Sequence, residues 1–136
     1  MGFWNALGKD AQYVLADGFW SEDFPYPGSK ELGRKYREKY GKHSVFIGLF
    51  YGVSQTLFMA IEKAGTLDGA KFREAVLTHE FKGTTMGDIK YRKDGTGSCP
   101  PAAFQWWDGK LMPVYPFTEG AWKVRLAPRG IKDSNN

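Results

Sequence analysis

Hydrophobic positions along this chain change period about two-thirds of the way through. From residue 29 to residue 80 they recur every three or four residues, the spacing of amphipathic helices. From Phe81 onward they alternate and are broken by turn residues, the pattern of strands. Ser29 is a plausible N-cap for a helix through Tyr40, with Gly41 as its stop. Leu32, Tyr36 and Tyr40 mark its inner stripe, and Glu31 and Glu38 stand four residues from Lys35 and Arg34, the spacing of helical ion pairs. A second helix is predicted over Val45 to Ala64, closed by Gly65. Its stripe is Phe46, Phe50, Val53, Leu57 and Ile61, thickened by Val45, Leu49 and Met59. So apolar a helix is buried on several sides, or buries them in something else. Asp68 opens a third helix through about Glu80, with Phe72, Val76 and Leu77 inward.

Before these helices, Phe3 to Lys9 has room for one helical turn. Tyr13 to Trp20 reads as a buried strand, and Ser21 to Gly28, with Pro25 and Pro27, as a crossover or loop. After them, Met86 to Arg92 alternates and ends at Asp94-Gly95. Ala103 to Trp107, Asp108-Gly109 and Leu111 to Tyr115 have the composition of a hairpin. Strand, three helices, then strands is an α/β or α+β order. Residues 1–128 read as one domain and residues 129–136 as a polar tail.

Composition narrows the chemistry. The chain has 136 residues, with 42% hydrophobic and 25% charged, which excludes wholesale disorder. Its net charge of +4 does not by itself call for a nucleic acid. The basic stretches Lys30 to Lys42 and Lys90 to Lys93 have acids mixed in and read as solvated faces. A single cysteine, Cys99, excludes a disulfide framework and any multi-thiolate metal site. His43 and His79 lie far apart with no ligand spacing, and no nucleophile elbow is present. Gly41-Lys42-His43-Ser44 lacks the glycine a phosphate loop needs upstream, and Asp94 to Ser98 is a turn. Glu22 and Asp23 are adjacent in a strand-like segment, where neighbours point to opposite sides, so they do not form an acid–base pair. No catalytic residue, metal or cofactor is expected. No window is long and apolar enough to span a bilayer, and the first residues lack the form of a secretory signal.

Aromatics make 16% of the chain, and several stand near loops. Trp20 ends a strand, and Phe46, Phe50 and Tyr51 begin an apolar helix. Trp106 and Trp107 are consecutive in a strand, so one of them faces outward or into a partner. Core packing accounts for Phe50. For Trp20 and Phe46, ligand stacking is an open alternative to it.

The segments Ala6-Leu-Gly-Lys-Asp-Ala-Gln-Tyr-Val-Leu, Phe19-Trp-Ser-Glu-Asp-Phe-Pro-Tyr-Pro-Gly, Leu32-Gly-Arg-Lys-Tyr-Arg-Glu-Lys-Tyr-Gly-Lys, Phe50-Tyr-Gly-Val-Ser-Gln-Thr-Leu and Phe104-Gln-Trp-Trp-Asp-Gly-Lys-Leu, in that order, resemble the C-terminal part of periplasmic solute-binding proteins of branched-chain amino-acid ABC transporters. The resemblance runs from about Ala6 to Pro116. It implies an α/β fold, the C-terminal portion of a type I periplasmic-binding-protein fold, in three helices and a small mixed sheet with a C-terminal hairpin. It implies a fragment, or a free-standing product derived from such a protein. The function implied is non-catalytic binding of an amino acid or small amide, with a transporter permease as partner, in the periplasm. Trp20 matches the position where the chain leaves a lobe strand beside the cleft. Phe46 to Gly48 match the start of a helix that walls the ligand's apolar part, and Phe50 lies one turn on. Surface normally covered by a missing lobe is expected to drive homodimerisation, and a structural or interaction protein is the alternative function.

Overall fold

The computed structural model describes residues 2–98, 101–116 and 122–128. Cys99, the whole polar tail and part of the region from Phe117 onward lie outside these residues. The described chain begins with a short helix, α1 (Gly2–Leu7), continued by a 3₁₀ turn over Gly8–Ala11. An edge strand, β1 (Leu15–Gly18), follows. Three longer helices come next: α2 (Ser29–Tyr40), α3 (Ile47–Ala64) and α4 (Gly69–Thr78). They lead into a two-stranded ribbon of β2 (Glu80–Thr84) and β3 (Gly87–Lys90), then a hairpin of β4 (Ala102–Trp107) and β5 (Lys110–Tyr115). β1 joins that hairpin in the order β1-β4-β5, and the three strands pair antiparallel.

Helix ends follow the expected chemistry. Gly41 and Gly65 close α2 and α3 in the left-handed conformation, which a residue without a Cβ adopts at no steric cost. Asp68 caps α4, its Oδ1 accepting the Lys71 amide at 3.0 Å. Asp108 and Gly109 both have positive φ and turn the β4–β5 hairpin. Lys35 and Arg34 pair with Glu31 and Glu38 as their spacing suggests.

Several expectations are corrected. Gly28, not Ser29, stands at the N-cap of α2, and the Ser29 hydroxyl is turned into the core instead. Tyr40 is exposed, so the inner stripe of α2 is short, and its fully buried positions are Ser29 and Gly33. β1 is not a buried strand: it lies at a sheet edge, and Leu15 is 59% exposed. For α3, of the two outcomes its composition allows, the second holds: it buries a line of small residues and leaves most of its bulky stripe exposed. Its buried residues are Gly48, Gly52, Thr56 and Ala60, one per turn, while Phe46, Phe50, Val53 and Leu57 face out. Small side chains win the inner face because bulky ones occupy it from the other side. Trp20, Met86 and Ile89 form one core cluster there, with Leu32, Ile47 and Leu49 packed around it. A Cβ at Gly48 would overlap the Trp20 ring, and one at Gly52 would lie 2.7 Å from Met86 Cγ. A second cluster, Phe24, Ala102 and Phe104, joins the segment after β1 to the sheet.

Trp106 and Trp107 do point to opposite faces, yet both are buried. Phe3 and Trp4 of α1 stack on Trp106 from one side. On the other, residues 122–128 lie across the sheet, with Trp122 edge-on to Trp107 and the Arg125 guanidinium 4.0 Å from its ring centre. The chain covers both rings itself.

Candidate functional site

A half-open cleft of about 660 Å³ lies where the helices meet the β4–β5 hairpin. Ligand pockets commonly fall in the range of roughly 300–1,000 Å³. Its charged end comes from Glu22 and Asp23, in the turn after β1, and from Arg37 on the last turn of α2. Its apolar end comes from Val45 and Phe46, just before α3, and from Leu111 and Met112 of β5, with Trp106 behind them. Lys110 stands on the hairpin side, and His43 and Ser44 on the helix side.

The charged end is organised around Glu22. Its side chain is only 18% exposed, and Arg37 Nη1 donates to both of its carboxylate oxygens. The guanidinium is in turn held more firmly protonated by that carboxylate. His43 Nε2 stands 4.0 Å from Glu22 Oε1, so protonation of the imidazole adds a second cation at the same carboxylate. Glu22 reaches this position because Gly33 on α2 leaves room: a Cβ there would meet the Glu22 side chain. At the helix side, the Ser44 hydroxyl accepts the Phe46 amide at 3.2 Å and sets the turn into α3.

The four residues singled out from sequence separate into three places. Trp20 is fully buried, with no surface free for a ligand. Its Nε1 donates to Ser29 Oγ at 3.1 Å, and that hydroxyl donates to the Thr85 carbonyl at 3.2 Å. Gly48 lies against its ring, and the Gly48 carbonyl accepts from Thr85 Oγ1 at 3.0 Å. These two form a core contact behind the cleft. Phe46, 54% exposed, lines the cleft. Phe50, 69% exposed, faces solvent on the outside of α3 and does not contribute to the core. The alternation applied to Glu22 and Asp23 does not hold, since they sit in a turn, and both line the cleft. Arg37 was invisible as their partner because fifteen residues separate it from Glu22.

The arrangement offers a carboxylate pair, two cations and an apolar wall. That combination is complementary in charge and polarity to a small molecule with charged and apolar ends. Among the described residues, no three histidine, cysteine or acidic side chains cluster to hold a metal. His79 is a helix-end residue, its Nδ1 3.0 Å from the Ala75 carbonyl.

No family model matches the sequence. Solved structures do match the fold. A leucine-binding protein from Thermotoga maritima superposes with a TM-score of 0.66 and 24% identity, over 82% of this chain and 33% of its own. An ABC-type branched-chain amino acid transporter protein from Rhodopseudomonas palustris gives 0.68 and 18%, over 87% and 36%. A leucine-, isoleucine-, valine-, threonine- and alanine-binding protein from Brucella ovis, in its closed conformation, gives 0.66 and 18%, over 90% and 36%. The chain therefore has the α/β fold of these type I binding proteins and spans about a third of their length.

Proposed function

We propose that this chain is a non-catalytic binding module for an amino acid or small amide, acting with an ABC-type uptake system on the periplasmic side of a membrane. The fold shared with three branched-chain amino-acid binding proteins supports the class of ligand. The observation that carries the reading to this chain is the cleft, where Glu22 and Arg37 face an apolar wall built on Phe46. An ammonium group suits the carboxylates, a carboxylate suits Arg37 and Lys110, and an aliphatic side chain suits Phe46, Leu111 and Met112. Phe46 is the contact residue of this scheme. Trp20 and Gly48 shape the wall from behind, and Phe50 stands outside it.

Because the cleft is half open, this wall alone gives weak affinity. Amide resonances of Ser44–Phe46 and Lys110–Met112 are expected to shift with leucine, isoleucine or valine at millimolar concentration. Phe46→Ala should weaken the effect several-fold. No shift in that cleft at saturating leucine would sink the ligand reading. A dissociation constant below about 1 μM, some −8 kcal/mol, would contradict the single-wall scheme.

A second reading, in which the fold serves association with another protein chain, is favoured by the exposed apolar side of α3.

A further inference from the structure

Besides His43, four charged side chains line the cleft, two acids and two bases, and they are not equivalent. Arg37 Nη1 donates to both carboxylate oxygens of Glu22, so these two charges are spent on each other. Gly33 leaves the room in which Glu22 lies, and the pair ties the turn after β1 to α2. Asp23 and Lys110 are unspent. Both are exposed, and among the described residues no hydrogen bond or ion pair reaches the carboxylate of the one or the ammonium of the other. Asp23 acts on Arg37 only through the field of its charge, which adds to that of Glu22 in keeping the guanidinium protonated.

With His43 neutral, the side formed by the turn and α2 sets two acids against one base and is left with a negative charge, whereas the hairpin side carries the positive charge of Lys110. A carboxylate approaching Arg37 meets two like charges around one guanidinium, and their repulsion offsets what the guanidinium offers. At Lys110 it meets a cation that nothing else holds. For an ammonium group the preference is reversed. We propose that the ligand of this cleft is a zwitterionic amino acid and not an amide, with its ammonium held by Asp23 and its carboxylate by Lys110.

The assignment rests on the ligand reading above and divides its charged groups between two tasks: Glu22 and Arg37 hold the turn in place, and Asp23 and Lys110 meet the ligand. Lys110 opens β5, so the Leu111 and Met112 part of the apolar wall begins at the residue that takes the carboxylate. An amide in place of that carboxylate leaves Lys110 unpaired, and a ligand without the ammonium leaves Asp23 unpaired. Both side chains are exposed, so each contact is worth about two- to fivefold in affinity, and salt weakens it.

Three ligands and two variants test it, followed by the amide shifts of Ser44–Phe46, Leu111 and Met112 at low salt and near-neutral pH. Leucinamide keeps leucine's ammonium and lacks its carboxylate, whereas isocaproate keeps the side chain and carboxylate and lacks the ammonium. The unaltered chain is expected to bind leucine more tightly than either, by the factor of one exposed ion pair. Lys110→Gln should remove leucine's advantage over leucinamide and keep its advantage over isocaproate. Asp23→Asn should do the opposite. A damaged fold weakens all three ligands alike, so it cannot produce this crossed pattern. Leucine bound no better than its two analogues overturns the assignment, and so do advantages that survive in both variants or fall together in each. In those cases leucine still shifts the cleft resonances and the ligand reading stands. Absence of any shift with leucine removes that reading, and the assignment with it.

Discussion

A methyl group at Gly48 would overlap the indole of Trp20, a side chain with no exposed surface and a hydrogen bond fixing its edge to Ser29. Neither partner can yield: the glycine is backbone in the first turn of α3, and the indole is enclosed. Gly48→Ala is thus expected to destabilise the fold by about 2–3 kcal/mol, read as a lower midpoint in chemical denaturation. Gly2→Ala, which meets nothing within 4 Å, should leave the midpoint nearly unchanged. At the surface, the Arg34 guanidinium, with Lys35 in support, holds the Glu31 carboxyl down to about 2, from an ordinary value of 4.5. A depressed carboxylate contributes stability above its unfolded value and loses it as pH falls from about 4.5 toward 2. The pair is fully exposed, so salt screens it and the contribution is small. A carboxyl titration followed by NMR at low salt should place the Glu31 midpoint near 2. Arg34→Ala should return it to the usual range, and an unmoved midpoint would remove the ion pair as its cause. Residue identity made this pair legible, because its spacing is local. The roles of Trp20 and Glu22 were not, because their partners Ser29, Thr85, Gly48 and Arg37 are fixed by packing of distant segments.

Elements were largely legible where local chemistry defines them. The glycine stops of α2 and α3, the aspartate cap of α4 and the Asp-Gly turn of the last hairpin each stand where residue type placed them. Which side of an element is covered proved different. The apolar residues of α3 leave open whether this chain or something else covers them; small residues hold its inner face because Trp20 and Met86 fill the space before it. The tandem tryptophans show the converse: alternation correctly separates them, but α1 and residues 122–128 cover both. Gln105 holds the second cover. Its Oε1 accepts from the Arg125 amide and the Trp107 indole, and its Nε2 donates to the carbonyls of Tyr13 and Arg125. One buried amide thus pairs both backbone groups of Arg125, as a neighbouring strand would. Gln105→Leu strands the indole N–H and releases the segment, at a cost of about 2–3 kcal/mol. Hydrogen exchange at the Arg125 amide should accelerate sharply, and exchange in α4 should not. Protection of Arg125 equal to that in the unaltered chain would show that the stacking on Trp107 suffices.

At the scale of the whole molecule, two small cores, around Trp20 and around Phe104, are joined by the turn that carries Glu22 and Phe24. That turn is why a charged end and an apolar end meet in one cleft: it brings residues after β1 to the end of α2 and to the β4–β5 hairpin. Such a juxtaposition links residues 22, 37, 46 and 111, and no local pattern encodes it. The sequence by itself determined the order of helices and strands, most of their ends, and the resemblance to branched-chain amino-acid binding proteins whose fold the structure shares. These depend on backbone preference, capping and periodicity, which act within a few residues. Only the tertiary structure decided that Trp20 is sealed in the core, that Phe46 alone of the four candidate residues lines the cleft, and that the bulky side of α3 faces out. These depend on which surface reaches a given space first, a competition among segments far apart in the chain. Volume settles it, with glycine and alanine admitted where a tryptophan already stands.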